Sequence, residues 1–167
     1  GVSTATNIVW LDEGLVERRL ESDPWIAHAD VHVALPWTIE IVLTERSPVA
    51  VANDGVREIL VAGDGTALGL ADRTRGLPEI SLPSRLALDG SSESPSGAAL
   101  ALGAMSPELR AEVTSVTVQI GGALEMRLRG GISVRYGGAW EPRRKAAILQ
   151  RVLAWAQAEG ERLTAVN

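Results

Sequence analysis

Two imidazoles and a carboxylate recur at every second residue in His28-Ala-Asp30-Val-His32. On an extended strand that spacing lines them along one face, and these are the side chains that a metal ion or a hydrolytic site would use. The same spacing also describes the solvent face of an ordinary strand whose other face carries Val31 and Val33. Side chains on a flat strand rarely converge on one ion, and the sequence has only 2 histidines with which to close a coordination sphere. A hydrolase or metal site around His28 and His32 is therefore retained as an alternative, behind a solvated strand. Gly63-Asp-Gly65-Thr-Ala-Leu-Gly69 has the glycines of a phosphate loop, but its spacing is G-x-G-x-x-x-G, no lysine follows, and its flanks read as strands, so it is expected to be a hairpin turn. There is no G-x-S-x-G elbow, and with 0 cysteines there is no thiolate chemistry and no disulfide.

Charge and composition exclude further classes. The formal net charge of −5 disfavours nucleic acid as the main partner, because phosphate binding needs a basic surface. At 167 residues and 46% hydrophobic content the chain can bury a sizeable core, as one domain or two small ones. Its most apolar run, Ala98 to Met105, is far short of the roughly 20 residues that cross a bilayer. The chain opens mid-pattern on Gly-Val-Ser-Thr, which suggests a fragment from which a targeting or anchoring segment has been removed.

The elements that would position any site follow from periodicity. Leu11, Leu15, Val16 and Leu20 recur at helical spacing behind Asp12, a suitable N-cap, and predict a short helix over Asp12 to Ser22. Val31, Val33 and Leu35 then alternate with Asp30, His32 and Ala34, Pro36-Trp37 turns the chain, and Ile39, Ile41 and Leu43 alternate on the return, predicting a hairpin with one buried face. Short strands are expected at Val49 to Ala52, Arg57 to Ala62 and Thr66 to Leu70, separated by Asn53-Asp54-Gly55 and Gly63-Asp64-Gly65. Arg75 to Gly97, rich in Gly, Pro and Ser, reads as loop. Ala98 to Gly103 is a short helix, and Ser106-Pro107 starts another helical turn.

Val116, Val118 and Ile120 lead to a two-residue turn at Gly121-Gly122, and Leu124, Met126 and Leu128 return to Gly130-Gly131 and on to Ile132, Val134 and Tyr136, a three-stranded meander. Glu141 to Glu159 is the longest helix, with Ile148, Leu149, Val152, Leu153 and Ala156 as its apolar stripe and Gly160 as its stop. Leu163 to Asn167 starts one more strand. Glu45-Arg46 reads as a strand end or a charged pair. Arg143-Arg144-Lys145 falls at the N-terminal end of the long helix, where the dipole disfavours each cation by about 0.3 to 1 kcal/mol unless a carboxylate or an acidic partner offsets it. Trp25, Trp37 and Trp155 read as packing at element junctions and beside the helix stripe. With no convincing reaction centre, a chain of short strands and exposed edges points to binding, by lending a sheet edge to a partner.

Read in order, the landmarks resemble the FtsQ/DivIB family of bacterial cell division proteins. Pro24-Trp25-Ile26, Ala29-Asp30-Val31, Pro36-Trp37-Thr38-Ile39, Ile41 and Glu45-Arg46-Ser47-Pro48-Val49-Ala50 are similar to the second half of an FtsQ-type POTRA module. Gly1-Val2 to Asn7-Ile8 with Leu11-Asp12 resembles the segment before it, with Ala5 where a glycine is usual. Downstream, Leu60 to Gly69, Leu77-Pro78 and the run from Leu124 through the lysine-bearing helix resemble the family's β domain.

The resemblance implies an α+β fold in two parts: a truncated POTRA module over residues 1–48, then a mostly antiparallel β domain over 49–167 backed by a long C-terminal helix. It implies a non-enzymatic scaffold without cofactor or metal, anchored in the cell membrane by a single-pass segment outside this sequence, with this region extracytoplasmic at the division septum. The implied partners are FtsB-like and FtsL-like (DivIC-like) proteins, bound by strand addition to the last strand during control of septal peptidoglycan synthesis. Of that strand this sequence holds Arg162, Leu163, Thr164, Ala165, Val166 and Asn167. The resemblance also implies that the first POTRA strand, most of its first helix and the rest of the last strand lie outside this sequence. A POTRA-type module of a secretion or outer-membrane assembly protein is the alternative, although it would lack the meander and the long helix.

Overall fold

A computed structural model describes residues 11–34, 38–53, 56–71, 76–82 and 95–166. The chain falls into two compact units, Gly1–Ser47 and Pro48–Asn167, and its α+β fold combines a POTRA-like start with a sheet domain and a C-terminal helix.

In the first unit, α1 (Glu13–Glu21) packs on β1 (Ile26–Ala34), which pairs antiparallel with β2 (Thr38–Glu45). Asp12 caps α1 as its position suggests, its carboxylate accepting from Leu15 N at 3.0 Å. On β1, Ala29 and Val31 are buried beneath the helix while His28, Asp30 and His32 face out, so the alternation there matches the sequence. On β2 it does not. All eight of its residues are exposed, including Ile39, Ile41 and Leu43, because α1 covers β1 and β2 lies outside its footprint. Leu15, expected on the helix's apolar stripe, is exposed as well. The Pro36-Trp37 turn and Asn167 lie outside the described residues, as do Asp54-Gly55 and most of the Gly/Pro/Ser-rich stretch.

Among the described residues, the second unit is built on an eight-stranded sheet in the order β10-β9-β8-β7-β6-β3-β4-β5. β3 (Pro48–Asn53), β4 (Glu58–Ala62) and β5 (Ala67–Leu70) form one antiparallel half; β7 (Val113–Val118), β8 (Leu124–Leu128) and β9 (Ser133–Gly137) form the other. β6 (Glu79–Ser81) joins them, parallel to both β3 and β7. This strand falls inside the stretch whose composition reads as loop. It is three residues long, too short to show a period, yet Ile80 is completely buried. A fully buried isoleucine contributes about 1.5 to 3 kcal/mol, and the strand is braced by Val51 N donating to Pro78 O at 3.0 Å, Leu82 N to Asn53 O at 3.2 Å and the Asn53 amide to Glu79 at 3.1 Å.

Among the described residues, three α-helices complete this unit: α2 (Ser96–Gly103), α3 (Pro107–Glu112) and α4 (Pro142–Glu159). α2 is small-sided, with Ala98, Ala99, Ala101 and Leu102 buried, and it runs close to the β4–β5 turn; a Cβ on Gly103 would stand 2.6 Å from the backbone of Gly63. Ser106 caps α3 through Leu109 N at 3.2 Å. The sheet and helices share one core that includes Ile80, Leu102, Val116, Met126, Val134 and Leu149.

The β7–β8 turn differs from the two-residue expectation. β7 ends at Val118, Gln119 N donates to Ala123 O at 2.8 Å, and Ile120 sits in the loop at 84% exposure. The turn closes with Gly122 N donating to Gln119 O at 2.9 Å, and the glycines at 121 and 122 both take positive φ, which places Ile120 in the turn and not on the strand. On α4 the buried residues are Ala146, Leu149 and Ala156, with Val152 and Leu153 half-buried. Ile148, at 50% exposure, leaves the predicted core stripe, and Trp155, at 56%, is not packing in the core.

Candidate functional site

The feature that could do work is the β10 end of the sheet. β10 (Ala165–Val166) lies parallel to β9, with Ala165 opposite Ser133 and Val166 opposite Val134, and Ser133 N donates to Thr164 O at 3.1 Å. In this register the backbone groups of Thr164 and Val166 face β9, so those of Ala165 face away from the sheet. β9 itself continues to Gly137, so Arg135 and Tyr136 run on past the described β10 pairing.

The segment expected to carry partner binding is therefore an edge strand over Ala165–Val166. Arg162, Thr164 and Ala165 are exposed, and Leu163 and Val166 are half-buried. Val166 packs on the main core and fixes the strand.

Beside this edge α4 forms the wall of a groove of about 170 Å³, with Val134 and Tyr136 on β9, Ile148, Leu149 and Val152 on α4, and Val166 on β10. It shares Ile148 and Val152 with a second hollow of about 250 Å³ that Arg151 and Trp155 also line. Arg135 and Lys145 also line the first groove. An apolar cleft with cations at its margin thus lies alongside a strand that, among the described residues, is the edge of the sheet. Exposed Ile148 and Trp155 with half-buried Val152, at i, i+7 and i+4, are a second apolar stripe at the margin of the first. That spacing was readable in the sequence, as was the last strand; the strand's parallel register on β9 was not.

The corner where β9 meets α4 is held by Lys145. Its ammonium donates to Gly138 O at 2.7 Å and Tyr136 O at 3.2 Å, and it stands 3.4 Å from the ring centroid of Trp140 and 5.2 Å from that of Tyr136. The Tyr136 hydroxyl donates to Pro142 O at 3.0 Å, and burial raises its pKa to about 12. Of the basic run at the start of α4, Lys145 thus answers to strand-end carbonyls, while Arg144 pairs with Glu141 at 3.2 Å, a local carboxylate of the kind that offsets the dipole. Glu141 holds a positive φ of 48° at the N-cap, a backbone strained for a side-chain-bearing residue.

A larger hollow of about 500 Å³ lies between α3, α4 and the β8–β9 turn, with Leu109, Leu128 and Leu153 in its lining and Glu108, Glu112 and Arg129 among its polar residues. In the first unit, His28 Nδ1 meets Glu21 at 2.8 Å, and His32 Nε2 lies 3.8 Å from Asp30. Among the described residues, no group of three or more His, Cys, Asp or Glu is arranged to hold a metal ion, and no helix is long and apolar enough to cross a membrane. Arg46, read as a strand end, is a clamp: its guanidinium donates to Ile26 O at 2.6 Å and Pro24 O at 3.1 Å, and its N–H to Trp25 O at 2.7 Å.

A POTRA-like start followed by a sheet domain with a long C-terminal helix defines an α+β class of two-part module. Residues 1–46 match the family model of the FtsQ-type POTRA domain, and residues 50–166 match that of the cell division protein FtsQ/DivIB C-terminal region. The chain belongs to the FtsQ/DivIB family of cell division proteins. It is 31% identical over 136 residues to the cell division protein FtsQ of Bradyrhizobium diazoefficiens, an alignment covering 81% of this chain and 38% of that relative, so the chain spans well under half of the relative's length. Among solved structures it is similar to the major extracytoplasmic domain of the trans isomer of DivIB from Geobacillus stearothermophilus, with a TM-score of 0.49 and 15% identity, covering 69% of this chain and 94% of that one.

Proposed function

We propose that this chain is the extracytoplasmic part of a non-enzymatic division scaffold, anchored in the cell membrane by a single-pass segment. It acts at the septum by binding FtsB-like and FtsL-like (DivIC-like) partners and so helps to control septal peptidoglycan synthesis. The partner adds a strand along Arg162–Asn167, beside α4.

The observation that carries this reading is the open face of Ala165 next to the α4 groove. An edge strand offers main-chain hydrogen bonds, and a neighbouring apolar cleft gives them side-chain specificity. Burying one aliphatic or aromatic side chain between Val134, Ile148 and Val152 would contribute about 1.5 to 3 kcal/mol. The cations Arg135 and Arg151 at the margin favour an acidic residue on the incoming strand.

The test is a pull-down of the periplasmic part of an FtsB-like coiled coil, using the whole extracytoplasmic region in one arm and this chain in the other. Capture by the whole region is the expected result. Failure of that arm rejects strand-addition scaffolding, whereas failure of this chain alone assigns the missing affinity to parts of the whole region outside this chain.

A further inference from the structure

In the first unit, three glutamates spaced four apart on α1 reach alternate N–H groups of β1 in antiparallel order. Glu13 accepts from Val33 N at 2.7 Å, Glu17 from Val31 N at 3.1 Å and Glu21 from Ala29 N at 3.2 Å. The match is geometric. Four residues of helix rise about 6.0 Å and two residues of strand about 6.8 Å, so the two repeats drift apart by only about 0.8 Å per step. Over the two steps of this ladder that drift is within reach of a glutamate's flexible side chain. The bonded N–H groups belong to residues whose backbone faces away from β2, and among the described residues they form the outer edge of β1.

An edge strand of this kind is a template for pairing with another chain. The segment Ala29 to Val33 is self-complementary about Val31. In an antiparallel pair around a two-fold axis, Val31 faces Val31 of a second copy and Ala29 faces Val33, and each facing pair exchanges N–H···O bonds. The carboxylates take the donors such a ladder needs.

We propose that Glu13, Glu17 and Glu21 form a strand-edge lock, a row of α1 carboxylates that occupies the outward N–H groups of β1 and keeps that edge closed to a second copy of this chain. The lock is local to the first unit and does not depend on strand addition at β10. Because it acts through acceptor atoms, glutamine, which keeps a carbonyl oxygen, preserves it, whereas alanine, a strong helix former that leaves α1 intact, removes it.

The experiment compares the wild-type chain with E13A/E17A/E21A and E13Q/E17Q/E21Q by sedimentation velocity over a concentration series, with amide hydrogen exchange read by NMR. Wild type and the glutamine variant are expected to stay monomeric, and the alanine variant to enter a concentration-dependent dimer. In dilute, monomeric E17A the Val31 amide should exchange about ten- to a hundredfold faster, as for loss of one bond to a charged acceptor. If the triple alanine chain loses its helix signal, E17A/E21A takes its place in the dimer arm. A folded alanine variant that stays monomeric overturns the lock, as does a wild-type dimer paired through β1. A glutamine variant that dimerises as readily as alanine would assign the effect to charge repulsion and overturn it too, and so would unchanged Val31 exchange in E17A.

Discussion

Lys145 holds its ammonium 3.4 Å from the ring centroid of Trp140, while bonding Gly138 O at 2.7 Å. One side chain of α4 thereby fixes the end of β9, the strand on which the open edge is built. K145M keeps the aliphatic stem and removes the charge. It is expected to destabilise the chain by about 1 to 3 kcal/mol, as for loss of charge-assisted hydrogen bonds, measured by urea unfolding. A double-mutant cycle with W140L should return about 0.5 to 1 kcal/mol of coupling for the exposed cation–π contact. Zero coupling would mean that Lys145 acts through the carbonyls alone.

The chain contains a single tyrosine, so tyrosinate absorbance reports Tyr136 without interference. Its folded pKa is raised by burial from 10.0 to about 12. The unfolded chain therefore loses this proton first as pH rises, so the contribution is complete below pH 10 and is lost between 10 and about 12. Spectroscopic titration should show a midpoint near 12 in the folded chain, and a midpoint at the free value would contradict burial of the ring. Y136F, which removes the bond to Pro142 O, should cost about 0.5 to 1.5 kcal/mol.

At the α2 crossing, Gly103→Ala would place a methyl group 2.6 Å from the Gly63 backbone. No flexible side chain can yield there, because the obstruction is main chain. Overpacking of this kind costs about 1 to 3 kcal/mol, and thermal unfolding of G103A should fall accordingly. Unaltered stability would show that α2 and the β4–β5 turn can separate freely.

Glu21 is held below the usual carboxylate value of 4.5, first by the Ala29 N–H and then by the His28 ring, with desolvation opposing them. A depressed folded pKa means that its contribution to α1 docking is present above 4.5 and is lost as pH falls through the folded value. An NMR titration following the Glu21 carboxyl carbon should therefore give a midpoint below 4.5 in the folded chain. In E21A the Ala29 amide should lose protection at neutral pH. A midpoint at or above the usual value would mean that the Ala29 bond does not persist in solution.

What could be read from the sequence was local. The Asp12 and Ser106 caps, the meander of β7 to β9 and the Gly160 stop of α4 each rest on a signal contained within a few residues. β6 was hidden because its identity depends on parallel partners distant in sequence, β3 and β7, and three residues carry no period of their own. The alternation of Ile39, Ile41 and Leu43 was real, but alternation states only that a face is apolar, and in the described fold no helix covers it. Lys145 illustrates the same limit. At the start of a helix a lysine reads as a dipole penalty, and only the approach of Gly138 and Trp140 makes it a tie. The last strand was legible as a strand from Leu163, whereas its parallel register on β9 and its apolar neighbour on α4 are tertiary facts.

Whether the edge beside α4 receives a partner strand is decided by amide hydrogen exchange of the chain with and without a soluble FtsB-like segment. The Ala165 amide, which faces away from β9, should become protected on binding, together with slowed exchange around Ile148 and Val152. Binding that leaves Ala165 and the α4 groove unchanged while protecting another surface would contradict strand addition at this edge.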